Sequence, residues 1–106
     1  MPKYLVTYHG GPGMPTDPGM QKQMLQAFQA WAMGVGSALV DPGAPLAQAR
    51  TVTAESVSEG QTAAGIGGYS ILEAADLSDA VGLVQSHPFI ARGGTLEVSE
   101  AVSLGG

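Results

Sequence analysis

An α+β domain, an antiparallel four-stranded sheet with two helices on one face, is the fold class that three features of this sequence predict. Residues 67–98 (GGYSILEAADLSDAVGLVQSHPFIARGGTLEV) read as a complete strand, helix, strand unit with its punctuation in place. Residues 3–8 open the chain with a strand pattern, and residues 17–35 follow with apolar positions at helical spacing. The order is therefore β, α, β, an extended arm, β, α, β. With each helix crossing to a neighbouring strand, that order is the ferredoxin-like split βαβ arrangement, βαββαβ.

Each element has a local cause. KYLVTY alternates Tyr4, Val6 and Tyr8 against Leu5 and Thr7, which predicts a short strand covered on both faces. Asp17-Pro18 is a helix opening, because aspartate caps free N–H groups and proline at the first helical position gives up none that is needed. Met20, Met24, Leu25, Phe28, Trp31, Ala32 and Val35 then recur on one face until Gly34 and Gly36 end the helix. Residues 37–41 (SALVD) predict a brief strand closed by Pro42-Gly43. Residues 50–57 are polar and β-prone, suited to an edge or a hairpin arm, and residues 59–68 are loop. In the last unit residues 69–74 are the strand, Asp76 is the N-cap with Asp79 three positions on, and Leu77, Ala80, Val81 and Val84 form the apolar stripe. Pro88 biases His87 away from helical dihedrals, so the helix is expected to finish at His87.

Length and composition exclude several function classes. The 106 residues fit one domain, residues 1–106. With no cysteine there is no disulfide, thiolate metal site or cysteine nucleophile, and only His9 and His87 remain as soft ligands, so no structural metal is expected. The net charge of −5 includes just four cations, Lys3, Lys22, Arg50 and Arg92, too few to grip a phosphate backbone. Nucleic acid is a poor partner for such a surface. No leader pattern and no apolar run of about 18 residues is present, so the expectation is a cytoplasmic chain without membrane contact. The glycine-rich stretch at residues 10–13 lacks the Gly-Lys-Ser/Thr end of a phosphate loop, and residues 65–68 enter a strand rather than a helix, so neither is a nucleotide motif.

Strand positions Leu5, Val6, Leu39, Ile71, Leu72, Leu96 and Val98 place apolar side chains on both sheet faces. A helix-free face of that kind calls for a partner, and the expected partner is a second copy of the chain. Two such sheets facing each other enclose a barrel-like interior that can hold a small molecule.

GYSILEA (residues 68–74), ADLSDAVGLVQSHPF (75–89), GGTLEV (93–98), and Phe28 and Trp31 followed by GSALVDPGAPL (36–46) together resemble the YCII-related (YciI-like, DGPF-domain) family of the dimeric α/β barrel superfamily. The resemblance covers most of the chain. It implies a homodimer with a pocket near the C-terminal end of the second helix and an activity unassigned for most members. Some members are thought to pair an aspartate with a histidine on the first helix. Here the equivalent stretch is Gln23-Met24-Leu25-Gln26, without an imidazole. The Asp-Gly-Pro-Phe signature of the longer branch is absent too, so the shorter YCII type is the closer match.

The candidate catalytic residues are His87 and Glu97. A histidine on the last turn of a helix feels the negative end of the backbone dipoles and is held partly charged near neutral pH, which suits a general acid or base. Its bland alternative is a C-terminal cap bonding a free carbonyl. Glu97 points to the face opposite Leu96 and Val98. If that face is the apolar interior it can accept a proton from carbon, and otherwise it is a solvated strand residue.

Tyr69, Arg92, His9 and Asp41 are the candidate substrate-binding residues. Tyr69 can donate to a substrate oxygen or simply pack. Arg92 can hold a carboxylate bidentately or stay solvated. His9 sits at the strand end near the pocket mouth, and Asp41 is a turn former or a partner for a histidine. The reading is a protein that binds a small apolar or aromatic, oxygenated molecule, with cofactor-free proton transfer as the possible chemistry. A non-catalytic homodimeric interaction or regulatory module is the alternative. Metal-assisted chemistry would need His9, His87 and a carboxylate to converge.

Overall fold

The computed structural model describes residues 1–11, 15–62 and 65–104. The glycine-rich stretch rejected as a phosphate loop runs into residues 12–13, and the loop of residues 59–68 passes through 63–64. Those positions lie outside the described residues.

The chain is a mixed α+β structure. Strand β1 (Lys3–Gly10) is followed by helix α1 (Pro18–Val35), a 3-10 turn (Gly36–Ala38) and strand β2 (Leu39–Pro45). A hairpin of β3 (Arg50–Val52) and β4 (Val57–Glu59) forms a separate two-stranded sheet. Strand β5 (Gly68–Glu73), helices α2 (Leu77–Val84) and α3 (Pro88–Ala91), and strand β6 (Gly94–Ala101) complete it. The main sheet has the order β2-β5-β1-β6, and every neighbouring pair is antiparallel.

Both long helices start where their caps predict. The Asp17 Oδ2 accepts the Met20 N–H at 3.0 Å with Pro18 at the first turn, and the Asp76 Oδ1 accepts the Asp79 N–H at 2.8 Å. The end of α2 differs from expectation. It stops at Val84, His87 turns extended (φ −63°, ψ 134°), and Pro88 opens a new short helix with His87 as its N-cap. The same proline that ends one helix is well placed to start another, since its fixed φ is already helical. Among the described residues there are thus three α-helices rather than two.

Strand β2 also departs from the expected 37–41 segment. The chain makes a 3-10 turn first and then runs extended past Pro42 and Gly43 to Pro45. β2 is an edge strand, where a proline without an N–H costs no ladder bond. Its register with β5 shifts between Asp41 and Ala44, and Gly43 takes φ 75° there with its Cα pressed against the Tyr69 backbone. A Cβ at Gly43 would overlap the Tyr69 carbonyl oxygen.

The core lies between the sheet and the helices. Tyr4, Val6, Trp31, Leu72, Ala74, Ala80 and Val84 are buried, with Phe28, Val35, Leu39, Leu96 and Val98 packed around them. Val6 and Leu72 keep no exposed surface, and burial of each contributes about 1.5–3 kcal/mol. The Trp31 indole N–H donates to the Leu83 carbonyl at 2.9 Å, tying α1 to α2.

Register assigns the faces and corrects one expectation. Val6 pairs with Ser70 and Val98, Tyr8 with Gly68 and Leu96, and Leu39 with Leu72, so these residues share the helix-bearing face. The other face receives Leu5 and Ile71 among Lys3, Thr7, Glu73, Glu97 and Ser99. Of the seven apolar strand residues, only these two look away from the helices. Period-two alternation sends neighbours in a strand to opposite sides, and most of the apolar ones fall in phase with the core.

Candidate functional site

Only the C-terminal half of α1 packs on the core. Trp31 is buried and Phe28, Ala32 and Val35 are partly so, whereas Met20 and Leu25, on the same predicted stripe, stay more than half exposed. Beneath the preceding stretch of the helix, from Gln21 to Phe28, the chain leaves a cavity of about 430 Å³ instead of filling it. Met24, Leu25 and Phe28 of α1, Pro42 to Pro45 of β2, Gly67 and Gly68 before and in β5, and Phe89 of α3 supply its walls. Tyr8 and His87 border it as well, and Gln21, Tyr69 and Arg92 complete the polar part of the lining. Gly94 makes room for the Phe89 wall, since a Cβ there would overlap that ring.

At the cavity His87 anchors a directed hydrogen-bond chain. Its Nδ1 accepts the Phe89 N–H at 3.0 Å, so the proton of the neutral ring resides on Nε2. Nε2–H then donates to the Tyr8 hydroxyl at 2.7 Å, Tyr8 donates to the Ser70 hydroxyl at 2.9 Å, and Ser70 donates to the Pro42 carbonyl at 2.8 Å. The tautomer and the donor order are assigned from this network. Each member is satisfied, which is what a buried polar chain requires.

Rings close around the imidazole. Trp31 stands 4.4 Å from it between centroids, Tyr8 5.0 Å in an edge-on arrangement, and Phe28 5.7 Å. Burial lowers the His87 pKa from 6.5 to about 4. A proton on Nδ1 would also face the Phe89 N–H that Nδ1 now accepts. The expectation of a partly charged His87 at a helix C-terminus is therefore reversed. It caps the start of α3, and it is neutral at pH 7. Burial likewise raises the Tyr8 pKa, with the Ser70 contact pulling partly the other way.

Three of the six sequence candidates border the cavity, namely His87, Arg92 and Tyr69. Tyr69 does so from a strand position paired with Thr7, whose side chains alternate to the helix-free face. Glu97 pairs with Thr7 on that face as well and is exposed, so His87 and Glu97 lie on opposite sides of the sheet. His9 shares the helix-free side. Its Nδ1 meets the Gly65 carbonyl at 3.0 Å and its Nε2 the Thr7 hydroxyl at 2.8 Å. Asp41 acts as a turn former, its Oδ1 accepting the Gly43 N–H at 2.8 Å. Among the described residues no three His, Cys, Asp or Glu side chains stand close enough to hold a metal ion, and the two histidines face apart. Among them, too, no helix is long and apolar enough to cross a membrane.

Two members of the network, Tyr8 and Ser70, were not among the sequence candidates. Ser70 had a readable signal, a small polar residue on the same strand face as Leu72, where an apolar one would ordinarily stand. Compared with known proteins, the chain matches no family model and no curated protein.

Proposed function

We propose that the chain is a small-molecule-binding protein whose ligand is a compact apolar or aromatic body carrying oxygen. The observation that carries this is the unfilled space under α1. An amphipathic helix normally buries its whole stripe, and here Met24, Leu25 and Phe28 face a cavity within the size range of small-ligand sites. Aromatic walls from Phe28, Phe89 and Tyr8 favour a flat body, and Arg92 and Gln21 provide donors for oxygen at one side.

The geometry favours binding over proton transfer. Both ring nitrogens of His87 are occupied within the chain, and Glu97 is across the sheet. The polar chain shapes and stiffens the cavity floor instead of presenting a free base.

The strand order, with a helix after β1 and another after β5, supports a ferredoxin-like topology of the YCII-related kind. Leu5 and Ile71, adjacent in register on the open face, support self-association there as a homodimer. The cavity is lined by one chain and does not depend on that pairing.

The test is ligand-observed NMR with one- and two-ring aromatic alcohols, ketones and acids, on the wild type and on Ala27→Trp. Ala27 is an exposed α1 residue on the cavity wall, and tryptophan there would fill the space. Saturation transfer to at least one compound class, lost in the variant, is expected. No transfer, or transfer undiminished by the filling residue, overturns the proposal.

A further inference from the structure

Resting on that binding reading, we infer that the ligand carries a single carboxylate and that Arg92 is the group that selects for it. The chain has nine aspartates and glutamates, yet none lines the cavity. Arg92 is the one cation that does. Among the described residues the only ion pair is Arg50 with Glu59 on the distant hairpin, so Arg92 reaches the cavity without a carboxylate partner of its own. In a chain of net charge −5 this is an excluded-acid, single-cation pocket, and a guanidinium half-withdrawn from water is worth more to an anion than one on an open surface.

The head group follows from the count and shape of the donors. A guanidinium presents a planar fork that matches a carboxylate by two parallel bonds. A phosphate dianion would call for a second cation or a long helix N-terminus, and the cavity lining has neither, α3 being four residues long. The backbone N–H of Arg92 is already bonded to the Phe89 carbonyl at 3.2 Å, so its side chain can be changed without breaking the turn. One of the two Gln21 amide N–H groups is engaged with the Pro15 carbonyl at 2.7 Å, and the other is an uncharged donor, so the guanidinium of Arg92 is the stronger donor of the pair. The rest of the cavity accepts the hydrocarbon. The ligand class is therefore an aromatic or bulky aliphatic monocarboxylic acid, with its ring against Phe28 and Phe89 and its carboxylate at the α3 exit.

The experiment is isothermal titration of the full chain with naphthoate and with the isosteric, uncharged naphthamide, repeated on Arg92→Gln and Arg92→Lys at pH 7. For the wild type, naphthoate is expected to bind about 10- to 100-fold more tightly than naphthamide, the span of a charge-assisted hydrogen bond. Arg92→Gln should bring naphthoate down to the level of naphthamide in the same variant, and Arg92→Lys should keep part of the preference. Equal binding of the two probes overturns this inference and leaves the binding reading intact. A preference for naphthoate that survives Arg92→Gln also overturns it, by placing the anion elsewhere. If neither probe binds, the carboxylate inference falls, and the binding reading is decided by the alcohols and ketones of the wider panel.

Discussion

Replacing Tyr8 by phenylalanine tests the hydrogen-bond chain with almost no change of shape. The ring still packs edge-on to His87 and beside Phe89, but the hydroxyl that receives the His87 Nε2 proton at 2.7 Å and meets Ser70 at 2.9 Å is gone. Ser70 retains the Pro42 carbonyl, so its loss is one ordinary hydrogen bond, about 1 kcal/mol. His87 fares worse. It is 3% exposed, its Nδ1 is fixed by the Phe89 N–H, and its Nε2–H is left in a box of rings with no acceptor. A stranded buried donor costs about 1–3 kcal/mol. The sum is about 2–4 kcal/mol, or roughly 10–20 °C in Tm for a domain of this size.

Urea unfolding followed by circular dichroism measures it, and Tyr4→Phe is the internal control. Tyr4 is more deeply buried than the partly buried Tyr8 but has no side-chain hydrogen bond among the described residues, so its variant should change little. A Tyr8→Phe protein within about 0.5 kcal/mol of the wild type, near the error of such measurements, would refute the network as a stabilising element.

Two further outcomes are expected. His87 has a folded pKa of about 4 against 6.5 when unfolded, so as the pH falls the unfolded chain takes up the proton first. Stability present above pH 6.5 is lost progressively towards pH 4, by up to about 3 kcal/mol, and flattens below. Urea curves at stepped pH, with His87→Gln as the reference in which this slope is missing, check it. Gly43→Ala should destabilise by about 3 kcal/mol or more, because it adds a left-handed strain to an overlap with the Tyr69 carbonyl. Its Tm reports this, and an unchanged Tm would mean that β2 does not run against β5 as described.

Much of the scaffold was legible because its signals are local. Asp17-Pro18 and Asp76 with Asp79 mark helix starts by the chemistry of the cap itself, and both caps form as written. The end of α2 was not legible, since Ser86-His87-Pro88 is compatible with a stop and with a new N-cap. The choice depends on whether His87 finds its partner in Tyr8, a residue 79 positions away. The site suffered more from the same cause. Tyr8 and Ser70 meet only through strand register, and nothing within either segment announces it. The helix-free face reads as greasier in the sequence because apolar residues such as Leu5-Val6 and Ile71-Leu72 stand side by side, whereas alternation divides each pair between the two sides. Glu97 then falls with Thr7 on the far side from His87, and the expected acid–base pair comes apart.

The most direct test of where this protein binds its ligand is an amide NMR titration with naphthoate. Shifts gathered at Phe28, Gly43, Gly68 and Phe89, on the walls beneath α1, are the predicted result. Shifts gathered instead at Leu5, Ile71 and Glu97 would put the ligand on the open side of the sheet and contradict the account.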